Sequence, residues 1–313
     1  MSKHNIIKYI VTLFIIGLMV GVSEILNERE IIFPEIAAIA VGSFIAPKFA
    51  WNVDYKRIFL LICISAIFGV LIVRFVPLPM AFQAIIAFAL AQLIFINSGT
   101  SFAPMISAMV LPVLLQTSSM VYIISAILLT LLILIVRFLL EKFKIVESLS
   151  FKSLPLANKN TYLISLFRVF LGGIVLIVAI YLDHKFVAAP PFLVAFTEMS
   201  KADSKAIKSP FKVLVIMSAC GITGALIRYI FNVKFTILPL AVSALITIFI
   251  VILIMQKTKT FIPPAGAIAI LAMLVPSDRV IYYPLECISG AFFVVLASNI
   301  LVFISQKITY KKV

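Results

Sequence analysis

Charge is scarce in this sequence. Asp, Glu, Lys and Arg together make up 12% of the 313 residues, where an ordinary soluble domain holds about 25%. Hydrophobic residues make up 64% and the mean hydropathy is +1.23, an excess too large for a buried core to absorb, so water is excluded as the main solvent. Histidine is nearly absent: His4 and His184 lie near segment ends and far apart, which offers no pair for a metal site. The three cysteines, Cys63, Cys220 and Cys287, fall inside hydrophobic stretches at spacings that fit neither a disulfide framework nor a metal knuckle, and they read as packing residues. No Gly-x4-Gly-Lys-Ser/Thr loop occurs, so direct coupling to ATP would need another protein. No cofactor and no metal site are expected, and with no paired catalytic groups the chain does not read as an enzyme.

What fills the chain instead is apolar sequence in long runs. A membrane-spanning helix takes roughly 20 apolar residues, because lipid offers the backbone no hydrogen-bond partner. Eight long stretches qualify, at approximately 6–26, 58–76, 80–97, 120–140, 161–182, 211–230, 235–255 and 280–304. Four shorter ones, at 31–46, 102–115, 186–199 and 261–275, are too short to cross a flat bilayer unaided. The expectation is an all-α polytopic membrane protein with about twelve segments. The first of them follows Lys3, His4 and Lys8 without a small-x-small cleavage site and reads as a retained helix.

The net charge of +14 reports topology rather than a nucleic-acid partner. Basic residues collect on alternate connections. Lys3, Lys8, Lys48, Lys56, Arg57, Lys142, Lys144, Lys152, Lys159, Lys201, Lys205, Lys208, Lys212, Lys257, Lys259, Lys307, Lys311 and Lys312 fall on one side, and only Arg29, Arg74, Lys185, Arg228, Lys234 and Arg279 on the other. By the positive-inside rule both termini are expected in the cytoplasm. The richness in Ile, Lys and Phe and the lack of an organelle-targeting segment suggest a bacterial plasma membrane.

A shift of about 159 residues brings the two halves together. Phe102 then lies over Phe261, Pro104 over Pro263 and Ala108 over Ala267, with the hydroxyl of Ser101 matching that of Thr260. Each half runs long, short, long, long, short, long, and proline marks every short segment: Pro34, Pro104, Pro190-Pro191 and Pro263-Pro264. An even number of crossings per half gives both the same orientation, that is, parallel repeats about an axis along the membrane normal. The expected division is a first membrane repeat over 1–145, a cytoplasmic linker over 146–160 and a second repeat over 161–313.

Short, proline-interrupted segments at matching positions are the sequence pointer to a transporter's binding site. In the second half the pattern is Thr258-Lys259-Thr260-Phe261-Ile262-Pro263-Pro264-Ala265-Gly266. Proline suits the first turn of a helix, and the small residues behind it leave backbone N–H groups open to an anion at the positive dipole end. Lys259 would raise the local anion concentration, and Thr258 or Thr260 would donate a hydroxyl. Ser101, Pro104 and Ser107 are the first-half counterparts. The competing reading is that the prolines only break helices, Ala265 and Gly266 only pack, and Lys259 only obeys the charge rule. Close helix packing also explains Gly172-Gly173 and Gly221-x2-Gly224.

The stretch LIMQKTKTFIPPAGAIAILAMLVP resembles the signature of the HPP family of integral membrane proteins, a Thr-basic-Thr-x-His-Pro-Pro-Ala-Gly-Ala run opening a membrane helix. Thr258, Lys259, Thr260, Pro263, Pro264, Ala265, Gly266 and Ala267 fit it, and Ile262 replaces the histidine. The resemblance extends loosely over approximately residues 185–305. The family's glutamine and arginine have no clear counterpart around Lys205 to Lys212. Some family members are similar to nitrite carriers, which agrees with an anion at a helix N-terminus; nitrite itself is not implied.

Few ionisable residues lie within the segments, where they are costly and functional by default. Glu35, beside Pro34, is a candidate for ion coupling. Glu198 reads as a surface residue or salt-bridge partner and Glu286 as undecided between the two roles, while Arg74 and Arg228 are expected to snorkel to the headgroups. Trp51, in a basic loop, reads as an interface anchor. The expectation is a membrane permease for a small, anionic solute, in a lipid bilayer, with homo-oligomers unsurprising. The alternative is a non-transporting scaffold or lipid-handling partner subunit.

Overall fold

The computed structural model describes residues 3–201, 204 and 209–310. Among them all regular secondary structure is helical, with no strand. Lys205, Lys208, Lys311 and Lys312 of the basic set lie outside the described residues. Eight long helices match the eight long stretches: α1 (Lys3–Ile25), α3 (Tyr55–Phe75), α4 (Met80–Asn97), α6 (Met120–Lys142), α7 (Lys159–Tyr181), α9 (Pro210–Arg228), α10 (Leu240–Thr258) and α12 (Tyr283–Tyr310). All eight are long and apolar enough to cross a membrane. Their outer faces carry Phe14, Phe75, Phe138, Phe170, Phe211 and Phe303, each more than half exposed. An apolar belt of that size suits lipid and not water.

The four short stretches are short helices: α2 (Glu35–Ala40), α5 (Pro104–Leu115), α8 (Pro190–Met199) and α11 (Pro263–Leu271). A π-helical turn, Val41–Ile45, continues α2, and another, Tyr229–Lys234, continues α9. Proline opens α5, α8 and α11 at the positions where its missing N–H leaves no hydrogen bond unmade. The side chains of these helices are buried almost throughout, including every residue of α2 and α11 and Pro104–Leu114 of α5. The long helices therefore form the wall and the short ones the core.

The packing partners of each half correspond. In the first half α3 packs on α5 and on α6; in the second α9 packs on α11 and on α12. The halves are joined by α4 against α7 and α10 against α1 at the wall, and by α2 against α11 and α5 against α8 in the core. Two tyrosines fix the core to the wall in the same way. Tyr122, near the start of α6, donates to the Ala108 carbonyl at 2.9 Å, and Tyr283, at the start of α12, donates to the Ile268 carbonyl at 2.7 Å. Each meets a phenylalanine edge to face: Phe33 with Tyr122 at 5.9 Å and 85°, Phe186 with Tyr283 at 5.8 Å and 89°.

At one end of the bundle the residues after α2, those before α5 and the linker before α7 are laced together. Asn52 exchanges bonds with Lys152 and pairs with Ser101, and the Leu154 amide donates to the Gly99 carbonyl at 2.8 Å. The Trp51 indole donates to Glu198 at 2.6 Å, tying the first half to α8. At the opposite end Glu24 of α1 accepts from the amides of Leu240 and Ala241, capping α10.

Candidate functional site

The turn into α11 is closed on itself. Lys259 ends α10 in the left-handed conformation (φ 51°), with its amide donating to Gln256 and that of Thr260 donating to the Met255 carbonyl at 3.2 Å. The hydroxyls of Thr258 and Thr260 donate within the same turn, to Ile254 at 2.8 Å and to the Thr258 carbonyl at 3.2 Å. Lys212 caps that last carbonyl at 2.7 Å. The Lys259 side chain is exposed, while Pro263, Pro264, Ala265 and Gly266 are buried. The Ala265 amide donates to the Ile262 carbonyl at 3.0 Å. A β-carbon added at Gly266 would meet Val41 at 3.1 Å and the Ala37 carbonyl oxygen at 3.3 Å, so this glycine faces α2. In this state the hydroxyls and the Ala265 amide are engaged, and Gly266 serves close packing.

In the first half, Ser101 is bound through both its amide and its hydroxyl to Asn52. Pro104 opens α5 and Ser107 lies one turn in, fully buried. The Ser107 hydroxyl stands beside the carboxyl of Glu35, the first residue of α2. Glu35 is 1% exposed and Ser107 0%, and neither carboxyl oxygen nor the hydroxyl has a hydrogen bond of acceptable geometry. The structure thus brings Glu35, Ser107 and the α2-facing side of α11 to one place in the core. Thr258, Lys259, Thr260 and Ser101 stay at one end of the bundle.

Three buried arginines and the half-buried Lys185 lie at the negative ends of the core helices. Arg137 donates to the Ser43 carbonyl at 2.6 Å in the π turn after α2. Lys185 donates to the Leu114 carbonyl at 2.7 Å at the end of α5. Arg168 donates to the Ser200 hydroxyl at 2.7 Å at the end of α8, and Arg228 to the Ala272 carbonyl at the end of α11. A cation at a helix C-terminus is favoured by the macrodipole and satisfies carbonyls that have no partner within the helix. The expectation that Arg228 snorkels is corrected: it is 3% exposed and bonded inward, while Arg74 is exposed. Arg137 and Arg168 were not singled out from the sequence, although a cation amid apolar helix is the signal that could have found them. Burial pulls the Lys185 ammonium below the ordinary lysine value, with Asp183 opposing the shift.

The reading of Trp51 is also corrected. Trp51 is 5% exposed and packs edge to face on Phe49 and Phe102, so it is no interface anchor. Glu198, read as a surface residue or a salt-bridge partner, is half-buried and accepts from the Trp51 indole. Glu286 is buried, at 3.3 Å from the half-exposed His184 ring.

A wide cleft of about 1030 Å³ opens at the laced end, lined by Lys8, Lys48, Arg137 and Lys144 together with Glu141, Glu147 and Ser101. A second groove of about 430 Å³, between α1 and α6, is walled by Leu18, Met19, Ile124 and Leu128. No protein-family model, curated protein or solved structure matches this chain.

Proposed function

We propose that this protein is a permease that moves a small, anionic solute across a cell membrane, the plasma membrane of a bacterium. In this reading twelve crossings form two parallel six-segment repeats, 1–145 and 161–313, joined by a cytoplasmic linker at 146–160, with both termini cytoplasmic. The observation that carries the reading is the core: four short helices, none long enough to span alone, enclosed by eight long ones and holding an unpartnered carboxyl and hydroxyl. Ionisable groups inside a membrane mark solute and ion pathways, and discontinuous segments are where transporters bind substrate. The matched packing of the two halves and the paired tyrosine anchors support the repeat.

The sign of the solute is argued from charge. Four cations and two carboxylates line the wide cleft, and Lys259 is exposed at the turn into α11. Such an excess concentrates anions at the entrance. The resemblance of Thr258–Ala267 to the HPP run points the same way. Thr258, Lys259, Thr260, Pro263, Pro264, Ala265 and Gly266, with Ser101, Pro104 and Ser107, form the proposed path, on which the turn before α11 opens to release its internally bonded hydroxyls.

The test is ligand-dependent thermal stabilisation of purified protein with nitrite, nitrate, formate and aromatic acids, since a ligand that binds only the folded state raises its apparent stability. A saturable shift, reduced in Lys259→Ala and Thr260→Val, followed by uptake of that anion into proteoliposomes, is expected. No shift and no uptake across the panel would remove the anion permease. Gly266→Leu is a poor probe, because the added side chain would push α11 off α2 whatever the function.

The apolar groove between α1 and α6 favours a second reading, a lipid-handling or scaffold subunit with an acyl chain in that groove. A cysteine placed at Ser101 discriminates: a permease exposes it to a membrane-impermeant maleimide in a solute-dependent way, and a scaffold does not.

A further inference from the structure

The strongest feature that the path alone does not explain is Glu35. Its side chain is sealed at 1% exposure with both oxygens unpartnered. It is not needed to start a helix in this setting: α8, which packs on α5 as α2 packs on α11, opens with Pro190, Pro191 and Phe192 and no carboxyl. A feature of only one of two similar halves is not an obligation of the fold.

The surroundings limit what Glu35 can bind. From α5 it meets the Ser107 hydroxyl. From α6 and α12 the Tyr122 and Tyr283 phenols lie within electrostatic reach, but both are donated to backbone carbonyls. The packed face of α11, Pro-Pro-Ala-Gly-Ala-Ile-Ala-Ile-Leu, and the π turn after α2 bring no titratable group. The ionisable residues of α1 (Lys3, His4, Lys8, Tyr9 and Glu24) sit toward its two ends. Glu30, in the turn before α2, is an acid and no cation, and one of its carboxyl oxygens accepts from Thr117. Among the described residues no cation therefore neutralises Glu35. A lone carboxylate in such a place costs far more than a neutral acid. A metal cation would need several oxygen ligands around it, and beside Glu35 the described residues place one free hydroxyl, that of Ser107.

We infer that Glu35 and Ser107 form a proton-binding site in the core, through which the solute movement proposed above is coupled to protons. The inference of coupling rests on the permease reading; the site itself does not. When the core opens to one side, a carboxylate oxygen of Glu35 takes a proton from water and an O–H bond forms. In the sealed state the acid is neutral, and the Ser107 hydroxyl is the group placed to share its hydrogen bond. When the core opens to the other side, the O–H bond breaks and the proton returns to water, with no electron transferred.

The test has two arms. Infrared spectroscopy of the reconstituted full chain near neutral pH reads a protonated carboxyl directly. The expected result is a carboxylic-acid C=O band that is lost in Glu35→Gln, which keeps the shape of the side chain, and shifted in Ser107→Ala. A spectrum unchanged in Glu35→Gln overturns the proton site. In proteoliposomes with a transported anion, Glu35→Gln is expected to keep solute exchange and lose accumulation driven by a pH gradient. Retained accumulation with proton uptake overturns the coupling. Wild-type protein that moves no solute counts against the permease reading, and the infrared arm still decides the site.

Discussion

Gly69 and Gly224 occupy corresponding places, each where a long helix lies against a core helix. A β-carbon at Gly224 would fall 2.2 Å from the Ala269 carbonyl oxygen, and one at Gly69 would fall 2.4 Å from that of Met109. Neither obstacle is a movable side-chain tip. At Gly173 the nearest atom, of Ile85, is 3.6 Å away, an ordinary contact. Gly224→Ala is therefore expected to cost about 1–3 kcal/mol through overpacking, seen as a lowered thermal midpoint in detergent, while Gly173→Ala stays near wild type. Equal midpoints would show that α9 and α11 are not in the contact described. The packing role of Gly221 and Gly224 was legible in the sequence, because small residues in apolar helices have few other uses. The fate of the charges was not: Arg74 and Arg228 look alike in sequence, and only tertiary placement decides that one is exposed and the other bonds a buried carbonyl.

A short helix has a large share of its carbonyls at its C-terminal end, where they have no partner within the helix. Each of the four core helices here has a cation at its C-terminal end, supplied by a neighbouring element. Arg137 is the most heavily engaged, holding the Ser43 and Glu147 carbonyls and the Glu141 carboxylate at 3.0 Å. Its side chain is 2% exposed and that of Glu141 12%, so solvent screens the pair little. Arg137→Gln should cost about 3–5 kcal/mol, much of it from the carboxylate left without its partner. Adding Glu141→Gln should restore part of the loss. Thermal unfolding of the two variants checks this, and a double variant no better than the single would refute the pairing. The existence of the short helices was readable because proline at a first turn and a run too short to span are local signals, whereas their ends were not: the stretch drawn over 31–46 holds α2 at Glu35–Ala40, and that over 261–275 holds α11 at Pro263–Leu271. The bonding of the Thr258–Thr260 turn was not readable, since whether a threonine hydroxyl faces a path or its own backbone depends on dihedral angles that composition does not record.

At the scale of the whole molecule, the permease reading with parallel repeats depends on the two halves pointing the same way. The packing partners correspond between halves, and so do the tyrosine anchors, but orientation across a membrane is a separate property that labelling can measure. Asn97 at the end of α4 and Lys257 near the end of α10 are related by the repeat shift, and both are exposed. Arg74 and Lys234 are related in the same way at the opposite ends, and both are exposed as well. Cysteines placed singly at these four positions, in a background with Cys63, Cys220 and Cys287 replaced, can be reacted with a membrane-impermeant maleimide in intact cells and in broken ones. With six crossings per half, Asn97→Cys and Lys257→Cys should both be protected in intact cells, on the side the basic residues mark as cytoplasmic. Arg74→Cys and Lys234→Cys should both react from outside. Were Asn97→Cys and Lys257→Cys to label from opposite sides, the repeats would be inverted, the axis would lie in the membrane plane, and the short helices of the two halves would enter the core from opposite directions. The wide basic cleft, lined by Lys8, Lys48, Arg137 and Lys144 of the first half, and Lys259 of the second would then lie on opposite sides, and the anion argument built on their combined charge would fall.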